Sequence, residues 1–290
     1  ITNCLEEIAP LEYQESYDNS GLLLGDYNID IKGVLITLDI TEEVVEEAIL
    51  NGFNMIISHH PILFNGIKSI TGRNYIERII LKAIQHNIAL YSIHTNLDNV
   101  INGVNGAIAK KLKLKKCRVI QPKSDILRKL VVYCPKKNTN QLRDALFVAG
   151  AGSLGKYDKC SFMSIGQGTF RAGIDANPYL GNIGDFHIEK EDKLEVIYPK
   201  NKELHLLSAM KDNHPYEEIA YQIYAICNLD NLVGTGIIGE LNKPIKTIDF
   251  LTSLKVTMNT EVIRHTAIVK DYINKVSVCG GSGSFLLKKA

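Results

Sequence analysis

The chain has 290 residues, 45% hydrophobic and 22% charged, a globular composition with enough length for a large core and two domains. A formal net charge of +1 supplies no bulk field toward nucleic acid or an anionic membrane, and no apolar run of about 18 residues marks a membrane span. The six cysteines include no CxxC pair and read as reduced thiols of a cytoplasmic protein.

The chain opens in an apparent helix, Ile1 to Ile8, and ends a few residues into another, so it is expected to be a fragment. The segment Tyr17-Asp18-Asn19-Ser20-Gly21 is a turn signal before the apolar run Leu22 to Leu24; it is either a plain loop or a loop facing a substrate. Residues 33–38 (GVLITL) read as a buried strand. Asp39 to Glu42 then look like a helix start, with Asp39 as cap, and Asn51-Gly52 close that helix. Residues 53–58 (FNMIIS) form a second strand, followed at once by His59-His60-Pro61. Ile76, Ile79, Ile80, Ala83 and Ile84 recur at helical spacing over 74–86, and 88–93 (IALYSI) form a third strand that ends at His94. A further helix is expected over Val100 to Lys111. The basic run Lys110 to Arg118 reads as its solvated end.

Strand, helix, strand, helix, strand implies parallel strands with helical crossovers. Ligands of such sheets bind outside the carboxyl ends of the strands. Asp39, His59-His60 and His94 all stand at that edge, and their coincidence is the strongest physical signal in the sequence.

After Pro122 the pattern changes to a strand (128–134), a helix (139–149), a Gly-rich stretch of turns and short strands (150–184), a strand (193–199), a helix (202–212) and a strand (219–226). This suggests an inserted α+β domain. From Gly236 the α/β pattern resumes, with a helix near 246–256, strands near 262–268 and 275–279, and the loop Gly280 to Ser284.

Adjacent imidazoles just past a strand end reach one metal from two sides or two metals. Loop histidines with ordinary hydrogen bonds are the bland alternative, and the other strand-end residues favour ligands. Asp98, four residues after His94, supplies the carboxylate that a divalent cation needs, or else caps the following helix, a role also open to Asn99 and Asn102. The Gly280 to Ser284 loop is a potential phosphate cradle without a P-loop signature. His214-Pro215-Tyr216-Glu217-Glu218 is either a ligand cluster or a structural turn.

Asp18 to Gly21, Leu38 to Thr41, Ser58 to Pro61, His94 to Asp98 and Cys279 to Gly283 occur in an order that resembles the Nif-three-like family, often labelled GTP cyclohydrolase I type 2 homologues. Gly152 to Cys160, Gly166 to Phe170, Asn177-Pro178, His214 to Glu218 and Gly234 to Leu241 resemble the insert of its longer bacterial members. The resemblance implies an α/β core, with a parallel-containing sheet and helical crossovers, over 1–124 and 236–290. It implies an inserted ferredoxin-like (PII/CutA-like) α+β domain over 125–235. It further implies a homohexamer and a dinuclear centre of Zn, Fe or Mn, with His59, His60 and Asp98 as ligands and His94 as a further candidate. The family's remaining ligands lie in a His-x-x-x-Glu motif; no His or Glu follows His265 here, so that motif is expected beyond residue 290.

The expected function is metal-dependent hydrolysis of a small, phosphate-bearing molecule, with Asn19, Gly281, Ser282 and Gly283 as substrate contacts. The alternative is a regulatory module that binds a metal or metabolite without turnover. The near-zero net charge argues against nucleic acid as a partner.

Overall fold

The computed structural model describes residues 1–290 as a mixed α/β protein. In chain order the elements are α1 (Thr2–Ile8), β1 (Gly21–Leu24), β2 (Val34–Thr37), α2 (Glu42–Leu50), β3 (Met55–Ser58), α3 (Tyr75–Gln85), β4 (Ala89–Ser92), α4 (Thr95–Asp98), α5 (Val104–Lys111), β5 (Lys115–Pro122), β6 (Leu127–Pro135), α6 (Thr139–Val148), β7 (Phe162–Arg171), β8 (Phe186–Pro199), α7 (Glu203–Asn213), β9 (Tyr221–Ala225), β10 (Gly234–Lys246), α8 (Thr247–Thr257) and β11 (Tyr272–Val278). They group into two compact units, Ile1–Lys123 with Asn231–Ala290, and Ser124–Asp230. No helix is long and apolar enough to cross a membrane.

The first unit is organised by a four-stranded sheet in the order β1-β4-β3-β2. β2, β3 and β4 run parallel, with Ile56 beside Leu35 and Leu90, while β1 pairs antiparallel with β4. Every residue of β3 and β4 is buried, as expected of central parallel strands covered on both faces. The alternation of side chains sorts them into two clusters. Ile56 and Leu90 pack with Val45 and Ala48 of α2 and with Ile79 and Ala83 of α3. Met55, Ile57, Ala89 and Tyr91 pack on the opposite face with Leu5, Leu22 and Ile31. Both crossover helices therefore lie on one face of the sheet.

The caps differ from expectation. Thr41, not Asp39, accepts the N-terminal hydrogen bond of α2 (from Val44 N, 3.3 Å), which frees Asp39 for the strand edge. The helix expected over Val100 to Lys111 begins only at Val104, as α5, after the separate single turn α4; its N-cap is Gly103, with no side-chain cap from Asn99 or Asn102. A Cβ at Gly103 would fall 1.8 Å from the Leu97 carbonyl oxygen, so only glycine lets α5 start against the α4 turn.

A second sheet of the same unit, β11-β10-β5, is antiparallel. β5 corrects the reading of the basic run: Lys110 and Lys111 do end α5, but from Lys115 the chain is a strand whose first four residues are exposed. Its partner β10 lies more than a hundred residues away in sequence, so no local pattern reveals the ladder. Residues 262–268 form no strand; Val262 is 70% and Ile268 44% exposed, so the β-branched run has no apolar face to pack against. After β11 the glycine loop leads into a 3-10 turn, Ser284–Leu286, rather than an α-helix.

The second unit has the element order βαββαβ, from β6 to β9, with antiparallel strands in the order β7-β8-β6-β9. Leu130, Val132 and Cys134 of β6 and Leu194, Val196 and Tyr198 of β8 alternate onto one face, where Leu142 and Leu146 of α6 and Leu206 and Met210 of α7 cover them.

Leu90 is fully buried between α2, α3 and the sheet, whereas Ile36 on edge strand β2 is 78% exposed. Leu90→Ala is expected to lower the unfolding free energy by about 2–5 kcal/mol and Ile36→Ala by no more than about 0.5 kcal/mol, measured by chemical denaturation.

Candidate metal centre

The parallel register brings the carboxyl ends of β2, β3 and β4 to one edge, and backbone hydrogen bonds extend the ladder past them. His59 N donates to Thr37 O (3.2 Å), His60 N to Leu38 O (3.0 Å) and Ile93 N to Ser58 O (2.9 Å). Two buried serines lock the turn, with Ser92 Oγ donating to His59 O (2.9 Å) and Ser58 Oγ to His60 O (2.8 Å). Because β1 is antiparallel, its N-terminal end meets the same edge, with Gly21 opposite Ser92. The loop before Gly21 thereby reaches His94.

His59, His60 and His94 converge there, with one ring nitrogen from each within 4.8 Å of the others. The ring centroids are 5.0–5.5 Å apart. Each ring is held through Nδ1: His59 by the Ile93 carbonyl (2.9 Å), His60 by Asp39 Oδ1 (2.7 Å) and His94 by Asp18 Oδ1 (2.7 Å). All three partners are acceptors, so Nδ1 carries the proton of the neutral ring and Nε2 keeps its lone pair. Such outer partners fix the tautomer and orientation of metal-ligating histidines.

Asp18 is fully buried as a side chain. Burial disfavours its charge, yet hydrogen bonds from His94, from the Thr95 hydroxyl and backbone, and from Asn19 N hold it well below the usual carboxylate range. The bond to Asp18 in turn raises the pKa of His94 against the opposing effect of burial.

Asp98 ends the α4 turn, with its N–H bonded to His94 O (3.1 Å). Its Oδ1 lies 4.0 Å from His59 Nε2 and is a buried acceptor without a hydrogen bond. Burial raises its pKa, the histidines oppose that, and Asp18 adds to it. An unsatisfied buried acceptor costs about 1–3 kcal/mol, and more when charged. Three lone-pair imidazoles beside an orphaned carboxylate oxygen fit a divalent cation in donor type and in charge.

The other expected residues are placed less directly. Asn19 Nδ2 donates to Leu63 O (2.6 Å) and so ties its loop to the chain after Pro61. Gly281, Ser282 and Gly283 follow Gly280, whose N–H donates to Asn105 Oδ1 (2.7 Å); Asn105 Nδ2 donates to Asp98 O (3.0 Å), so one amide joins the glycine loop to the Asp98 turn. His214 is no free ligand: Nε2 bonds Tyr133 O and Nδ1 accepts from Tyr216 N, and burial depresses its pKa. Asn105 was not singled out from the sequence, and Asp18 was named only within the Tyr17 to Gly21 loop, with no role of its own. The antiparallel entry of β1 is the signal that would have brought Asp18 to the site.

With this geometry in place, the comparisons with known proteins are decisive for kinship. The model of Duf34/NIF3 (NGG1p interacting factor 3) matches residues 1–290. The chain belongs to this family. Among its relatives, the GTP cyclohydrolase 1 type 2 homolog of Bacillus subtilis (strain 168) is 37% identical over 285 residues, 98% of this chain and 76% of that protein. The protein of the same name from Staphylococcus aureus (strain MRSA252) is 36% identical over 283 residues, covering 98% and 77%. A crystal structure of a Bacillus cereus protein related to NIF3 matches with a TM-score of 0.84 at 35% identity, covering 99% of this chain and 77% of that one. The chain thus spans roughly three quarters of the length of these Duf34/NIF3 proteins.

Asp18→Asn is expected to weaken binding of Zn²⁺ or Mn²⁺ roughly 10–100-fold, the usual cost of losing an outer-shell partner. Asp39→Asn, at a carboxylate 59% exposed, is expected to cost less. Chelator-competition titration measures both.

Proposed function

We propose that His59, His60, His94 and Asp98 contribute ligands to a dinuclear centre of Zn, Fe or Mn, and that the protein is a metal-dependent hydrolase of a small, phosphate-bearing molecule. The observation that carries this reading is the shared orientation of the three imidazoles, each with Nδ1 on an oxygen acceptor and Nε2 free. Asp18, Asp39 and Asp98 set three carboxylates around the neutral rings, a charge environment that favours divalent cations there.

Divalent cations held there supply Lewis acidity toward a substrate oxygen and toward water. The chain's own residues do the rest. Asp18 and the Ile93 carbonyl hold His94 and His59 rigidly, and Asp39 holds His60 at the solvent side. Asp98 contributes the charge, and the Asn105 clamp keeps the Gly281–Gly283 loop next to it as a place for a phosphate. Asn19 braces the facing loop. The names of the relatives suggest a GTP-like substrate; no residue of the site selects guanine.

The same reading takes the 124–230 unit as a ferredoxin-like insert of the PII/CutA kind, in line with its βαββαβ order, and the whole as a cytoplasmic homohexamer. The six free thiols accord with a reducing compartment. The second reading, a metal- or metabolite-binding regulator without turnover, draws support from the cavity in that unit.

Calorimetric titration of the chelator-stripped chain with Mn²⁺ and Zn²⁺ is expected to give saturable binding that His59→Ala abolishes. GTP and simple phosphoesters are then assayed with and without chelator. Turnover that chelator and His59→Ala both remove is the expected outcome. Metal binding without turnover across the panel selects the regulator instead.

A further inference from the structure

We propose that the 124–230 unit carries a second binding site, for a small organic monocation, a primary amine on an apolar body. A cavity of about 610 Å³ lies on the sheet face opposite the helices, within the range of about 300–1,000 Å³ typical of small-molecule pockets. The register places it there. Gly166 stands opposite Glu191, Ser164 opposite Lys193, and Tyr133 opposite Lys193, so these residues share the face that Val132 and Leu194 do not. Segments that the sequence reading singled out and the metal site does not use converge on it: Gly166 to Phe170, Pro178 and Tyr216 to Glu218.

A helix-free sheet face is ordinarily wet, yet Glu191 on it is only 8% exposed. Gly173, Ala176, Tyr179 and Leu180 of the adjoining loop also line the cavity, and Asn177 N anchors that loop to Glu217 Oε1 (2.8 Å). The Glu191 carboxylate receives one hydroxyl, Tyr216 Oη to Oε1 at 2.8 Å, and no ion pair. Lys193, on the same face, pairs with Glu195 (2.6 Å), as does Lys129 (2.9 Å), and Lys137 Nζ lies over the Tyr179 ring at 4.6 Å from its centroid rather than on the acid. Arg171 and Glu218 line the cavity as exposed residues, open to solvent.

Gly168 is matched to this carboxylate. A Cβ there would fall 2.0 Å from Glu191 Oε2, so a side chain at 168 would displace the acid from the wall. The rings of Phe170 and Tyr179 flank Tyr216 at 6.3 and 6.2 Å between centroids. A buried anion without a counter-charge beside aromatic rings recognises an ammonium group, through a charge-assisted hydrogen bond and ring quadrupoles, with the apolar walls taking the hydrocarbon. A carboxylate or phosphate ligand would meet Glu191 with like charge.

The test uses the full 290-residue chain, stripped of metal so that the outcome is independent of the metal reading. Three probes of one shape, 2-phenylethylamine, 2-phenylethanol and 3-phenylpropionate, are titrated by ligand-observed NMR. The amine is expected to bind roughly 10–100-fold more tightly than the alcohol, the range for a hydrogen bond to a charged partner, with the carboxylate weakest. Glu191→Gln, which keeps an acceptor for Tyr216, is expected to erase that preference and leave the alcohol unchanged. Phe170→Ala is expected to weaken amine and alcohol alike. Equal binding of amine and alcohol to the wild type, no binding of the amine, or a preference surviving in folded Glu191→Gln overturns the proposal. If that variant does not fold, the wild-type comparison decides alone.

Discussion

The parallel register of β2, β3 and β4 is the constraint on which the candidate centre depends. A slip by one residue would turn Ile56 and Leu90 out of the helix-covered cluster and exchange them with Met55, Ile57 and Ala89. Because both faces are buried, each alternating set has its own partners and the slip finds no compensating contacts. The same register fixes which residues emerge first at the edge. The site is therefore a by-product of core packing, and the histidines inherit the rigidity of the strands that end at them.

The three rings are held by acceptors of different kinds, and this grades the site. The carbonyl that holds His59 belongs to the backbone and is beyond reach of side-chain substitution. The carboxylate that holds His94 is buried and satisfied by several donors, whereas the one that holds His60 is open to solvent. A low-dielectric wall thus stands on one side of the cluster and water on the other. Asp98 lies on the dry side, where an ion strengthens most from its charge.

Much of this was legible in the residues. The three strands and their alternation with helices followed from apolar runs and periodicity, but only β3 and β4 are buried; β2, expected to be buried, is the edge strand and leaves Ile36 78% exposed. The four-residue step from His94 to Asp98 marked a turn that the structure contains. What escaped depended on contacts distant in sequence. β5 is lysine-rich and local pattern reads it as a helix tail; only pairing with β10 makes it a strand. Asp18 sits in a turn that looks generic until β1 carries it to His94. Asp39 was read as a cap because Thr41, two residues on, competes for the same role with the same chemistry. The segment 262–268, rich in β-branched residues, has strand propensity without a partner, and propensity alone does not make a ladder.

The antiparallel pairing of β5 with β10 has a consequence for how the chain is assembled. Pro122, one residue before the first unit is left, lies opposite Gly234, three residues after it is re-entered, and Lys123 N donates to Val233 O at 2.9 Å. On the far side, Arg128 stands opposite Ala225 in the β6–β9 pair. The whole 124–230 segment thus occupies the place of a hairpin loop, with its own ends as close together as those of the host strands. Such a junction lets one module be gained, lost or exchanged in evolution without re-registering the sheet it interrupts. A short turn spliced between β5 and β10 would leave the host strand order intact.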